Sequence, residues 1–192
     1  MNIIISGLTC SGKTTLSNEI YDSFKDVTIL REDDYMKDRV NIPNNGKYYL
    51  MDLPSAYNID EYVNDINNLL TLGYTYYPQY DFSRNARLNK NETKTRSNIN
   101  VFEGLHVISA LKDLSESIKV FMDTDIETCL ERRIKRDTLL YKIDERLIRK
   151  YFYEIIIPIY KEYIEHQRDL ADIVVRKEED KKCLLKRFQT YC

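Results

Sequence analysis

The 192-residue sequence has no apolar run long enough to cross a bilayer, since a spanning helix needs about 20 consecutive apolar residues. It also lacks an excess of one charge. Lys and Arg number 29 against 31 Asp and Glu, for a net charge of −2. That balance gives no electrostatic support to a bulk nucleic-acid or membrane-surface role. Cysteines are few, and none of Cys10, Cys129, Cys183 and Cys192 forms a C-x-x-C pair. Neither His106 nor His166 stands at zinc-finger spacing from them. Reduced thiols in a cytoplasmic protein are therefore the expectation. No basic stretch or cleavage site precedes the first apolar segment, where Met1 runs into Ile3-Ile4-Ile5, so no signal peptide is expected. There is no internal repeat and no linker, and the length suits one domain over residues 1–192.

What is present alternates between short apolar runs and helical patterns. Residues 2–6, 27–30, 99–102, 119–122 and 172–175 read as strands. Residues 13–24, 55–72, 125–136, 145–167 and 178–190 read as helices. Ser55 is the expected N-cap of the second helix, Gly73 its stop, and Pro158 a kink or restart in the fourth. Residues 37–54 read as a loop, and about 74–98 as a strand-like piece with an exposed hairpin. This order predicts an α/β fold with a five-stranded parallel sheet and helices on both faces. In such sheets ligands bind at the carboxyl ends of the strands, where Gly7, Asp33, Glu103 and Asp123 fall.

Gly7-Leu8-Thr9-Cys10-Ser11-Gly12-Lys13-Thr14 matches the complete G-x-x-x-x-G-K-[ST] phosphate loop, between a strand and a helix. Its backbone N–H groups and the helix N-terminus can cradle phosphates. Lys13 can reach the β- and γ-phosphates, and the Thr14 hydroxyl can ligate Mg²⁺, with Thr15 following in the same turn. The sequence thus reads as a P-loop NTPase that binds Mg·ATP and transfers phosphate. Cys10 within the loop is either redox-sensitive or a small filler. Asp33 and Asp34 follow the second strand as a candidate general base, with Asp33 also a candidate Mg²⁺ ligand, or else as a solvated acidic turn. Glu103 ends an apolar strand and can hold Mg²⁺ or cap a helix. Arg132, Arg133 and Arg136 lie on one helix. Arg133 and Arg136 are spaced to share a face, so they can stabilise transferring phosphate or simply form a solvated basic face.

Together these segments resemble the uridine–cytidine kinase family of P-loop nucleoside kinases, through most of the chain and in order. Glu32-Asp33-Asp34-Tyr35-Met36-Lys37 resembles the family's aspartate motif, with Asp33 matching the general base. Met51-Asp52-Leu53-Pro54-Ser55-Ala56-Tyr57 is similar to its Phe-Asp-x-Pro-x-Ala-Phe stretch, which makes Asp52 the ribose-binding residue. Tyr80-Asp81-Phe82 matches the motif opening the base-binding hairpin, and Val101-Phe102-Glu103-Gly104 the second acidic motif. Phe121–Asp125 with Arg132–Asp137 matches the Arg-rich lid signature, giving a lid over about 131–150. Ala171–Val175 matches the last strand, and Asp180 falls where the family contacts ATP.

The resemblance implies ATP and Mg²⁺ as cofactors and a small nucleoside as acceptor, with a homo-oligomer possible and no nucleic-acid or membrane partner. The sequence departs from the family at three places. Asn85 stands where the base-reading histidine would be. Leu140-Tyr141-Lys142-Ile143-Asp144 replaces a lid run with two more arginines. Tyr151 replaces a glutamine that contacts substrate in some members. The leading expectation is 5′-phosphorylation of uridine or cytidine, with Asn85 and Tyr80 at the base and Arg133 also near the acceptor. The alternatives are a nicotinamide riboside kinase and a nucleotide-binding regulator with weakened catalysis.

Overall fold

The computed structural model describes residues 1–189. Cys192, and the last residue of the helix expected over 178–190, lie outside the described residues. In chain order the elements are β1 (Asn2–Gly7), α1 (Lys13–Ser23), β2 (Val27–Arg31), α2 (Ile59–Leu72), β3 (Tyr74–Asp81), β4 (Ala86–Thr95) and β5 (Ile99–Glu103). Then follow α3 (Val107–Ala110), β6 (Ser117–Met122), α4 (Ile126–Tyr141), α5 (Glu145–Tyr151), α6 (Ile157–Ile159), β7 (Ile173–Val175) and α7 (Glu178–Gln189).

Five strands form a sheet in the order β2-β5-β1-β6-β7, with every neighbour parallel. Strand periodicity divides β1 between two cores. Ile4 packs with Leu30, Phe102 and Phe121 under α2, α3 and α4. Ile3 and Ile5 pack on the opposite face with Leu16 and Ile20 of α1 and Leu184 and Phe188 of α7. All of these side chains are at most 3% exposed. Burial of each contributes about 1.5–3 kcal/mol, so both layers clamp the sheet. The central position of β1 delivers the phosphate loop to the middle of the sheet's carboxyl edge.

The hairpin expected over 74–98 forms as antiparallel β3 and β4, with a register shift between Pro78 and Tyr80. Tyr62 and Tyr77 are tied to the sheet through their hydroxyls: Tyr62 donates to the Leu30 carbonyl, and Tyr77 accepts from the Arg31 N–H.

One local expectation needs correction. Ser55 does not cap α2. Pro54–Ala56 form a separate short turn, the chain becomes extended at Tyr57, and the helix starts after Asn58. Pro158, expected as a kink or restart, stands in the first turn of α6. Winding continues from Glu145 to Leu170, with wide π turns at Phe152–Ile156 and Tyr160–Ile164 flanking α6. The stop at Gly73 forms as expected, with φ at 86°. No helix among the described residues is long and apolar enough to cross a membrane.

Candidate active site

The carboxyl edge of the sheet opens into a cleft of about 1190 Å³. One end is the phosphate loop. Gly7 must be glycine because its φ is 147° and a Cβ would meet the Met122 carbonyl at 2.6 Å. Gly12 precedes α1 at φ 105°, and no side chain caps that helix. The first N–H groups of α1 therefore lack a side-chain acceptor, a ready arrangement for phosphate oxygens. The Ser11 hydroxyl is buried without a partner. Lys13 Nζ donates to the carbonyls of Gly7 at 3.0 Å and Leu8 at 3.1 Å, which holds the ammonium across the loop. Thr9, Cys10, Ser11, Thr14 and Thr15 all line the cleft.

The acidic residues divide by direction. Asp33 lines the cleft and is exposed. Asp34 instead accepts a hydrogen bond from the Tyr77 hydroxyl, and burial raises its pKa. The pair is therefore one cleft-facing carboxylate and one structural carboxylate. Glu32 is fully buried, and its Oε2 accepts from the His106 N–H at 3.0 Å. Burial pushes its pKa up to about 8. Gly104 leaves room for it, since a Cβ there would run into the Glu32 side chain.

Glu103 lines the cleft at 3% exposure. Arg31 Nε pairs with its Oε1 at 2.8 Å, while Oε2 is buried without a partner. Burial raises its pKa, against the pull of Arg31 and Lys13. The described residues contain no ready-made cluster of three metal-ligating side chains. Mg²⁺ bound with nucleotide needs only one or two protein oxygens besides phosphate and water. The orphaned Glu103 Oε2 and the exposed Thr14 hydroxyl fit that requirement. Asp33 lies on the same cleft.

At the other end of the cleft, Asp52 is 6% exposed and its Oδ2 has no partner. Burial raises its pKa while Arg133 and Lys13 act to lower it. Met36, Met51, Tyr57, Phe82 and Asn85 line the same end. Tyr80, expected at the base, lies behind this surface. It is 7% exposed, its hydroxyl bonds the Lys37 carbonyl at 3.2 Å, and its ring meets Phe82 edge-on at 5.0 Å. Phe82, next to it, lines the cleft instead. Asn85 occupies the hairpin turn with φ 48°, and its carbonyl accepts from the Arg39 N–H at 3.0 Å. It is therefore a turn residue that also lines the cleft.

Across the mouth, α4 brings Arg132, Arg133 and Arg136 to the cleft. Arg133 Nη1 donates to the Thr9 hydroxyl at 3.2 Å. Asp137, 5% exposed, pairs with Arg133 at 3.2 Å and Arg136 at 2.7 Å. Tyr141 and Ile143 also line the cleft, where more arginines would have supplied charge. Asp180 is not brought to the cleft. Its carboxylate accepts from the backbone N–H groups of Arg176 and Lys177, which caps α7. Arg176, Lys177, Glu178 and Lys181 line the cleft there instead.

Sequence reasoning missed Asp137, Phe82, Tyr57 and Glu32 as individual residues. Each lies inside or beside a quoted motif, but only the fold reveals its direction.

A family model described as Phosphoribulokinase / Uridine kinase family matches residues 3–183. The uridine kinase of Lactobacillus johnsonii is 32% identical over 177 residues, covering 89% of this chain and 83% of that protein. The uridine kinase of Clostridium botulinum is 30% identical over 184 residues, covering 89% and 85%. A possible uridine kinase from Bacillus stearothermophilus shares the fold, with a TM-score of 0.66 at 17% identity over 91% of this chain and 87% of that one. The chain belongs to the phosphoribulokinase/uridine kinase family and is an ATP-dependent kinase.

Proposed function

We propose that the chain transfers the γ-phosphoryl group of Mg·ATP to the 5′-hydroxyl of a pyrimidine nucleoside, uridine or cytidine, giving the nucleoside monophosphate and ADP. The supporting observation is that Lys13, Asp33, Asp52 and Arg133 line one continuous cleft, with an aromatic and thioether end beyond Asp52. The named function of the two bacterial relatives points the same way.

In this reading Asp52 accepts from the ribose hydroxyls, so its orphaned Oδ2 gains a donor. Asp33 takes the proton of the 5′-hydroxyl as that oxygen attacks phosphorus. Lys13 follows the migrating phosphoryl group, and Arg133 and Arg136 neutralise the charge that develops. Glu103 and Thr14 supply protein oxygens to Mg²⁺, which offsets charge on the phosphates when bound. The base sits against Phe82, with Met36, Met51 and Tyr57 around it and Asn85 at its edge.

The test is ADP release with uridine, cytidine and nicotinamide riboside side by side. Turnover on the two pyrimidine nucleosides is expected. Preference for nicotinamide riboside would replace this reading, and ATP binding with no turnover on any acceptor would make the chain a regulator.

A further inference from the structure

We infer that His106 is a positioning residue for the acceptor site, acting through the Asp52 backbone; the inference rests on the acceptor role proposed for Asp52. His106 is 3% exposed and is not among the cleft-lining residues. It touches three segments that are. Its ring Nε2 lies 3.0 Å from the Asp52 carbonyl oxygen. Its ring meets Tyr57 edge-on with centroids 5.8 Å apart. Its backbone N–H donates to Glu32, which directly precedes Asp33.

A carbonyl oxygen only accepts, so Nε2 must carry the proton in this contact. Burial keeps the ring neutral by lowering its pKa to about 4. The ring is thus a fixed donor across the physiological range. Asp52 sits in a loop without regular structure, and its Oδ2 has no partner to aim it. The anchor on its backbone carbonyl comes from the segment just after β5, the strand that also carries Glu103. His106 thereby ties the ribose-holding loop to the rigid sheet edge. This is how an outer residue holds a binding group in register without meeting the substrate.

The backbone bond to Glu32 survives any side-chain substitution, so variants at His106 isolate the ring. His106→Phe keeps an aromatic ring against Tyr57 and removes the donor. His106→Gln loses the ring but places an amide N–H where Nε2 stood. Packing alone would rank Phe above Gln, whereas positioning through the hydrogen bond ranks Gln above Phe.

The experiment measures KM for ATP and for the nucleoside acceptor in both variants, with Asp52→Ala as the control. His106→Phe should raise acceptor KM about tenfold while ATP KM stays within about twofold. His106→Gln should restore most of the loss. Equal behaviour of the two, Phe better than Gln, or a parallel rise in both KM values would overturn the inference alone. An Asp52→Ala variant with unchanged acceptor KM would overturn the acceptor assignment and this inference with it. If both His106 variants fail to fold, nitrogen-15 NMR of the intact protein decides. A slowly exchanging Nε2–H is expected, and an Nδ1–H tautomer overturns the proposal.

Discussion

Arg133 and Asp137, one turn apart on α4, form an ion pair at 3.2 Å with side chains only 12% and 7% exposed. The same carboxylate holds Arg136 at 2.7 Å. Two guanidinium groups that would repel each other are therefore aligned by one buried anion. Asp137→Asn should release both while keeping the side chain's size. Small misplacements of catalytic groups cost up to about 10²-fold. The expected result is a kcat loss of about 10–100-fold with the circular dichroism spectrum retained. Unchanged kcat would mean that the arginines do not depend on this alignment.

In the proposed reading, Lys13 handles the nucleotide and Asp33 removes the proton. Lys13→Ala should abolish turnover. Asp33→Asn keeps shape but loses the basic charge, and general-base catalysis is worth about 10²–10⁴-fold. A kcat loss of that order with ATP affinity retained is expected. A defect confined to ATP affinity would instead make Asp33 a metal-binding or structural residue.

The pH dependence of stability should carry the signature of Glu32. Burial raises its pKa from 4.5 to about 8, so the folded state keeps a proton that the unfolded state has lost. Its contribution is fully present below pH 4.5 and is lost as pH rises through about 8. The linkage slope is about 1.4 kcal/mol per pH unit within that window. Glu32→Gln removes the slope and retains an acceptor for the His106 N–H. Urea unfolding of both proteins at pH 6 and pH 8, without nucleotide, should show the variant gaining on the parent by a few kcal/mol. A constant difference would mean that Glu32 is charged in the fold.

The phosphate loop and the sheet were legible because their signals are local. Eight consecutive residues fix a loop, and Ile3-Ile4-Ile5 announces a buried strand. Directions were not legible. Asp33 and Asp34 are chemically equivalent in the sequence, and the one that turns inward is the one that the Tyr77 hydroxyl bonds. Tyr80 and Phe82 lie two apart in one motif, yet the hydroxyl bond to Lys37 sends Tyr80 behind Phe82. Ser55 failed as a cap because Pro54 forms its own turn before the helix. Pro158 marked a restart as its residue type suggests, whereas the π turns on either side of it have no sequence pattern of their own.

Tyr151 links the loop at Tyr49 to Arg133 of α4. Its hydroxyl donates to the Tyr49 carbonyl at 2.7 Å, and its ring lies 5.7 Å from the Arg133 guanidinium. Tyr151→Phe keeps the ring and cuts the loop free. It should raise acceptor KM several-fold, by about 1 kcal/mol for one hydrogen bond, and leave ATP KM unchanged. A matching rise in ATP KM would place its role in the lid alone.

In the proposed reading, base choice rests on Asn85. Uracil presents an N3–H donor beside carbonyl acceptors, whereas cytosine presents an N3 acceptor beside an amino donor. A rigid reader of one pattern rejects the other, because an unpaired buried polar group costs about 1–3 kcal/mol. An asparagine amide has both a donor and an acceptor, and a flip exchanges them. Asn85 lines the cleft from the hairpin turn, where its backbone is held by Arg39 and its φ of 48° suits asparagine. Uridine and cytidine should therefore be accepted within about tenfold in kcat/KM, or about 1.4 kcal/mol. Asn85→Ala tolerates the positive φ less well, so Asn85→Gly is its partner variant, removing the amide without backbone strain. Both should lower kcat/KM for the two pyrimidine nucleosides together. If Asn85→Gly matches the parent on both substrates, the amide faces solvent, and the choice of base lies with the apolar wall of Met36, Met51 and Phe82.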